Sequence, residues 1–289
     1  MIVSKFILGT ANFSGNYGIA QKNHLELEQV EEILSFAQIN ELNHFDTAKS
    51  YGDTQKILGS FLDYSNHVQL DSKIGNQECG TVESILESVQ KSLDELKTNK
   101  LSTLYLHDAN SLLGDNKSAT KNGLTKILDM GFADYIGVSV YTLNDLLECK
   151  KVLPNLSRFQ VPENICDRRL FHSEEMLELS RDNNEINVRS IFLQGLLLMP
   201  KEAIPKSLSE SSKSIYDLDL YSKKEVVTRI DLCIAYAKSI SWASKIVVGV
   251  ESISQLKAIL DSRYKLNDEW EKNISVVSEA IADPRKWQL

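Results

Sequence analysis

Short apolar runs of strand character alternate with longer amphipathic stretches along almost the whole of this chain, and that rhythm fixes the fold class before any other feature is weighed. The strand-like runs fall at 5–10, 44–48, 69–74, 103–107, 135–140, 158–161, 187–192 and 245–250. Between them apolar residues recur at helical spacing, as in Val30, Ile33, Leu34 and Ala37, or Val82, Ile85, Leu86, Val89 and Leu93. Thr81 ahead of Glu83 and Ser84, and Thr142 ahead of Asn144 and Asp145, supply polar helix starts. Parallel strands need long crossovers, usually helical, so a strand–helix alternation implies a parallel sheet.

Eight such repeats in 289 residues match a closed (β/α)8 TIM barrel better than an open doubly wound sheet. The open sheet would carry its nucleotide on a glycine-rich first turn. Here that turn reads Leu8-Gly9-Thr10-Ala11-Asn12-Phe13-Ser14-Gly15, not GxGxxG, and no P-loop pattern occurs. We therefore expect one barrel domain over residues 1–289, with an additional C-terminal helix at 267–282 carrying Trp270, Ile274, Val277 and Ile281 at helical spacing. Trp287, just beyond, is expected to pack on the surface rather than wall a pocket. The stretch 206–222, rich in serine and charge, reads as a long mobile loop and a candidate lid.

Charge and composition exclude several classes. With 32 basic against 40 acidic residues, the formal charge of -8 repels polyanions, so nucleic acid is not expected as a main partner. No window approaches the roughly 18 apolar residues of a membrane helix, and no basic start leads into an apolar run, so no membrane partner and a cytoplasmic location are expected. Cys79, Cys149, Cys166 and Cys233 are scattered without CxxC spacing and are read as reduced and structural, with no metal site.

One constellation carries chemistry. Asp46 ends the second strand-like run, Lys73 the third and His107 the fourth, while Tyr51 lies in the loop leaving the second. In such barrels working residues gather at the carboxyl ends of strands, so all four would face one mouth. A phenol is too weak an acid at neutral pH, but a nearby ammonium stabilises its phenolate, and a carboxylate holds that ammonium charged and in place. Singly each residue has a bland reading, as a turn cap, a packed ring or a satisfied core histidine. On adjacent strands at one end of a barrel, they read as an activated tyrosine acid.

At this point the chain resembles the aldo-keto reductase family nearly end to end. The resemblance is carried by Leu8-Gly9-Thr10, Tyr17-Gly18, Asp46-Thr47-Ala48, Tyr51-Gly52 and Leu58-Gly59, then Gly137-Val138-Ser139, Gln160-Val161-Pro162 with Asn164 and Asp167-Arg168-Arg169, and Val247-Val248-Gly249-Val250 with Gln255-Leu256. It implies a nicotinamide cofactor across the barrel mouth and a small-molecule carbonyl substrate, an aldehyde or ketone reduced to the alcohol. Tyr51 would be the general acid, Lys73 would lower its pKa, Asp46 would fix Lys73, and His107 would orient the carbonyl oxygen. Gly9, Thr10, Ser139, Gln160, Gly249, Ser252 and Gln255 would contact the nucleotide.

Departures from the family pattern matter as much. The usual Ser-Asn pair is Ser139-Val140, and the usual nicotinamide-stacking tyrosine aligns with Arg189, with Phe192 aromatic but displaced. After the eighth strand, Glu251 stands near the position of the cation for a 2′-phosphate, and Ile259 near that of the adenine-binding asparagine. Glu251 weakens the preference for NADP(H), with Lys257 or Lys245 as substitute cations; on family grounds NADP(H) stays slightly ahead of NAD(H). The blocks 12–20 and 189–195 look like bacterial members linked with carbohydrate metabolism, which points to a sugar-like carbonyl. The departures leave an alternative, a nicotinamide-nucleotide-binding regulatory protein with little turnover.

Overall fold

The computed structural model describes residues 3–14, 25–65 and 67–288. Eight parallel strands close into a barrel in chain order: β1 (Phe6–Gly9), β2 (His44–Asp46), β3 (Gln69–Ile74), β4 (Leu101–Leu106), β5 (Ala133–Ser139), β6 (Arg158–Pro162), β7 (Glu185–Arg189) and β8 (Lys245–Gly249). Closure is made by β8 against β1, from Phe6 opposite Ile246 to Gly9 opposite Gly249. The expected (β/α)8 barrel is present, with strand ends unchanged or shifted by up to three residues. The largest shift is at β7, which stops at Arg189 because Ser190 takes a left-handed φ of 60°.

Alternation along the strands sorts the side chains. Phe45, Leu70, Leu104 and Leu106 are buried in the apolar layer beneath the helices. Asp46, Lys73, Tyr105, Gln160 and Asn187 point inward, because contacts between non-adjacent strands can form only through the barrel interior. Gln160 of β6 reaches Asp46 of β2 at 2.6 Å, and Asn187 of β7 reaches Tyr105 of β4 at 3.3 Å. The Tyr105 ring fits because its neighbour on β5 is Gly137: a Cβ there would lie 2.5 Å from the ring and 2.6 Å from the Arg158 carbonyl oxygen.

The helices begin where the polar starts predict. Thr81 accepts from the Ser84 amide at 3.1 Å and opens Val82–Leu96; Thr142 accepts from the Asp145 amide at 3.1 Å and opens Leu143–Val152. Val30, Ile33, Leu34 and Ala37 form the buried face of Leu27–Ile39. Gly59 marks a close crossing, since a Cβ would collide with the Glu95 carbonyl oxygen.

Two sequence expectations are corrected. The stretch 206–222 is not a loop: a 3₁₀ turn, Lys206–Ser211, runs into the helix Ser212–Glu225, which buries Ile215, Leu218 and Tyr221. Its serines are compatible with helix because their hydroxyls are absorbed, Ser211 by the Leu208 carbonyl at 2.7 Å and Ser214 by the Val276 carbonyl at 3.0 Å. The stretch 267–282 is not one helix but two single turns, Trp270–Asn273 and Glu279–Ala282. Between them the chain bonds outward instead: Val277 N–H donates to the Cys166 carbonyl at 2.8 Å, and the Ser275 hydroxyl donates to Asp217. Among the described residues, no helix is long and apolar enough to cross a membrane.

Candidate active site

Residues at the carboxyl ends of the strands converge on one cavity of about 900 Å³, and all four members of the expected quartet line it. Asp46 and Lys73 are 4% and 2% exposed, and Lys73 Nζ donates to Asp46 Oδ2 at 2.5 Å and to the Thr47 carbonyl at 3.2 Å. The other carboxylate oxygen of Asp46 accepts from Gln160 Nε2 at 2.6 Å. Both oxygens are thereby engaged, as a buried charge requires.

Tyr51 is placed by the turn after β2. Lys49 N–H donates to the Lys73 carbonyl at 2.9 Å, extending the β2–β3 ladder past Asp46, and Tyr51 N–H then closes back on the Ala48 carbonyl at 3.1 Å. Its ring meets His107 edge-on with centroids 5.8 Å apart and lies 5.6 Å from Lys73 Nζ. His107 is set by its own N–H, which donates to the Ile74 carbonyl at 2.8 Å, and its Nδ1 lies 3.3 Å from Ser50 Oγ. That contact leaves Nε2 as the free end of the ring.

Burial dominates the electrostatics of the site. Burial first, and the Asp46 charge second, push the Tyr51 phenol above its ordinary value, while the Arg189 cation pulls the other way. Lys73 Nζ, paired with Asp46, lies 5.6 Å from the Tyr51 ring centroid. Burial, with the cations of Lys73 and Arg189, pushes His107 down to about 3, so its imidazole is neutral. Two neutral proton donors thus face a cavity that carries fixed positive charge.

Arg189 is held firmly. Its Nε donates to Ser139 Oγ at 3.1 Å, Nη1 to Ser190 Oγ at 3.2 Å and Nη2 to the Val140 carbonyl at 3.2 Å, and its guanidinium lies 4.4 Å from the Tyr141 ring centroid. Arg285 lies 3.6 Å from the same ring and is itself neutralised by Asp283. The sequence singled out neither Tyr141 nor Arg285; the available signal was an aromatic two residues past Ser139 and an arginine near the chain's end.

Gly9, Thr10, Ser139, Gln160, Gly249 and Gln255 of the expected nucleotide contacts line the cavity; Ser252 does not. Its hydroxyl instead caps the helix Ile253–Asp261, accepting from Gln255 N–H at 3.2 Å. Thr10 Oγ1 donates to the Asp46 carbonyl at 2.9 Å. Arg189, Phe192, Glu251 and Ile259 line the cavity, whereas Trp287 packs away from it with Nε1 on the Ile281 carbonyl at 3.0 Å. Lys245 sits at the opposite end of the barrel, paired with His44 and Glu185. Lys257 is exposed and off the cavity. Tyr17 and Gly18 lie outside the described residues.

The donor set suits a nicotinamide nucleotide. Gln160 Oε1 is buried in the cavity lining without a partner, an acceptor waiting for an N–H such as that of a carboxamide. Among the described residues no cluster of His, Cys, Asp or Glu could hold a metal ion.

A closed parallel barrel with such a site at its carboxyl mouth is that of a nicotinamide-dependent oxidoreductase. The aldo/keto reductase family profile matches residues 5–277, and the chain belongs to that family. A comparison with curated proteins finds no match. Among solved structures, the chain is similar to the aldo-keto reductase AKR11C1 from Bacillus halodurans in holo form, with a TM-score of 0.74 at 19% identity, covering 96% of this chain and 95% of that one. It is also similar to the glycerol dehydrogenase AKR11B4 from Gluconobacter oxydans, with a TM-score of 0.72 at 18% identity over 93% and 89% of the two chains. A thermostable aldo-keto reductase, Tm1743, in complex with the inhibitor epalrestat gives 0.72 at 19% identity over 93% of each chain. At these identities the neighbours attest the fold; the family match carries the NAD(P)H-dependent carbonyl chemistry.

Proposed function

We propose that the protein reduces a small aldehyde or ketone, a sugar-like carbonyl on the sequence resemblance, with Tyr51 as the proton donor. The observation that carries this reading is the convergence of Tyr51, neutral His107 and the buried Lys73–Asp46 pair on one cavity. Bound NAD(P)H supplies the hydride.

The protein's own residues do the rest. His107 Nε2 donates to the carbonyl oxygen and fixes its direction, and its neutrality leaves that hydrogen bond without a competing proton transfer. Tyr51 gives its proton to the oxygen as negative charge develops there; a phenol raised in pKa still transfers downhill to an alkoxide, which is more basic than phenolate. Lys73 holds Asp46, and through it Gln160, in fixed register. Ser139 and Gln160 would hold the carboxamide.

Family grounds favour NADP(H), but the far end of the cavity supports NAD(H) better. Glu251 lines it, anchored by Gln255 Oε1 on its backbone N–H at 2.8 Å and by Asn12 Nδ2 on its carboxylate at 3.5 Å. The cations among the described lining residues are Lys73 and Arg189, both at the quartet end. A carboxylate there suits a ribose hydroxyl and repels a phosphate dianion.

The test is absorbance loss of NADH and NADPH with simple aldehydes and keto sugars, run beside fluorescence titration of cofactor. Tyr51→Phe should lower kcat about 100- to 10,000-fold with cofactor affinity within about twofold. Turnover at the wild-type rate would remove Tyr51 from the mechanism. Tight cofactor binding without turnover in the wild type would favour the regulatory reading.

A further inference from the structure

We propose that Ser50 is a positioning residue that selects the tautomer of His107, donating its hydroxyl hydrogen to Nδ1 so that Nε2 carries the ring's one N–H. The inference rests on the carbonyl-reductase reading above and adds to it the group that makes His107 a donor.

A neutral imidazole has a single N–H, on one nitrogen or the other, and the partner of one nitrogen decides what the other can do. The Nδ1 of His107 has one hydrogen-bond partner among the described residues, Ser50 Oγ at 3.3 Å. The end of β3 builds this contact from both of its sides. The Lys73 carbonyl accepts from Lys49 N–H at 2.9 Å, on the side of β2, and the Ile74 carbonyl accepts from His107 N–H at 2.8 Å, on the side of β4. Two successive carbonyls of one strand thus hold the segments that carry the two partners. Tyr51 N–H closes on the Ala48 carbonyl at 3.1 Å, which keeps Ser50 within a tight turn, and the Tyr51 ring meets His107 edge-on with centroids 5.8 Å apart. Ser50 itself is exposed and lies off the cavity that His107 lines, so it reaches a substrate only through the imidazole.

A hydroxyl can take either role towards an imidazole nitrogen. If Ser50 accepted from Nδ1–H, Nε2 would turn a lone pair towards the cavity and repel a carbonyl oxygen, which can only accept. If Ser50 donates, Nε2 presents its N–H to that oxygen, and solvent meets the lone pairs of the serine. Only the second arrangement lets His107 stabilise the negative charge that develops as hydride arrives. No proton passes between Ser50 and His107 in any step. The pair fixes one hydrogen in place, and Tyr51 supplies the one that moves.

Three substitutions separate the roles, with kcat/KM for a simple aldehyde measured at about pH 8.5 to keep the imidazole neutral beside a new carboxylate. Ser50→Thr keeps the hydroxyl and should retain the wild-type value. Ser50→Ala leaves Nδ1 without its donor and should lose about 2- to 12-fold, the range of a neutral hydrogen bond. Ser50→Asp offers acceptors only, so it should draw the hydrogen to Nδ1 and lose about 100- to 1,000-fold, the cost of one oxyanion donor. In a His107→Asn background the same Ser50→Asp change should cost less than about threefold, because no imidazole remains to turn. A loss there as large as in the parent would be the effect of charge alone and would overturn the proposal. The direct readout is the nitrogen-15 spectrum of the cofactor-loaded protein, with the His107 signals identified by their loss in His107→Asn. Hydrogen on Nδ1 in the wild type would overturn the proposal, as would a Ser50→Asp variant no slower than Ser50→Ala. If the wild type reduces no carbonyl, the reductase reading fails, and the tautomer decides the role of Ser50 alone. A hydrogen on Nε2 that moves to Nδ1 in Ser50→Asp supports that role; one that stays overturns it.

Discussion

Replacing Asp46 by asparagine should damage stability before it damages chemistry. The carboxylate is 4% exposed, and it accepts from Lys73 Nζ at 2.5 Å through one oxygen and from Gln160 Nε2 at 2.6 Å through the other. An amide has one acceptor and one donor end, so one of these two partners must meet an N–H. Gln160 can answer by rotating its amide, since its Oε1 is buried without a partner and would then accept from the new side chain. Lys73 cannot: its ammonium would keep a neutral acceptor and lose its counter-ion. Removing one partner of a buried pair costs about 3–5 kcal/mol. With an unfolding entropy of roughly 2.1 cal/mol/K per residue over 289 residues, that is a melting-point loss of about 5–8 °C. Asp46→Asn combined with Lys73→Met removes both charges, and about half or more of the loss should return. Thermal melts of wild type, both single variants and the double variant close the cycle. A single variant melting within about 1 °C of wild type, or a double variant no better than Asp46→Asn, would refute the reasoning. The rotated Gln160 also presents an N–H to the cavity where an acceptor stood, so cofactor affinity in Asp46→Asn should fall as well.

Other consequences can be measured on the same material. Because burial and two cations hold His107 near about 3, the pH profile of kcat/KM should show no inflection in the ordinary histidine range near about 6.5; one that disappears in His107→Asn would contradict the neutral imidazole. Glu163, fully buried beneath Tyr236 at 2.7 Å and the Leu170 amide at 3.1 Å, is pushed up by burial from 4.5 to about 8. The folded state then holds a proton that the unfolded state releases, so stability falls as pH rises between those values. Glu163→Gln should flatten that fall and melt higher than wild type at the alkaline end; an unchanged slope would be the wrong answer. Glu251→Gln should shift the NADPH-to-NADH affinity ratio toward NADPH by about tenfold, read by fluorescence titration, and an unmoved ratio would take Glu251 away from the nucleotide.

How far the residues alone reach depends on whether a signal is local. The barrel was legible because strand alternation and helix caps such as Thr81 and Thr142 are written in neighbouring residues. The quartet was legible for the same reason: strand ends at Asp46 and near Lys73 and His107 determine a shared mouth. What failed was non-local. The segment 267–282 has helical periodicity, but Cys166, Ser214 and Asp217, distant in sequence, take over its polar groups. In 206–222 composition hid a buried stripe of Ile215, Leu218 and Tyr221. The upward shift at Tyr51 comes first from burial, which spacing does not reveal.

The departures at Val140 and Arg189 are not independent. A valine side chain cannot replace the amide that usually follows Ser139 in the family, whereas a planar guanidinium can stack on a ring as a phenol does. Yet in this structure the Val140 carbonyl and the Ser139 hydroxyl both accept from Arg189, at 3.2 and 3.1 Å, so that β7 and the end of β5 are joined through one side chain. Loss of function by drift would leave buried polar groups unanswered, and each would cost about 1–3 kcal/mol. Here both changed positions answer each other through these two bonds. Mutual compensation beside an intact quartet fits a working reductase better than a nucleotide binder that has lost its chemistry.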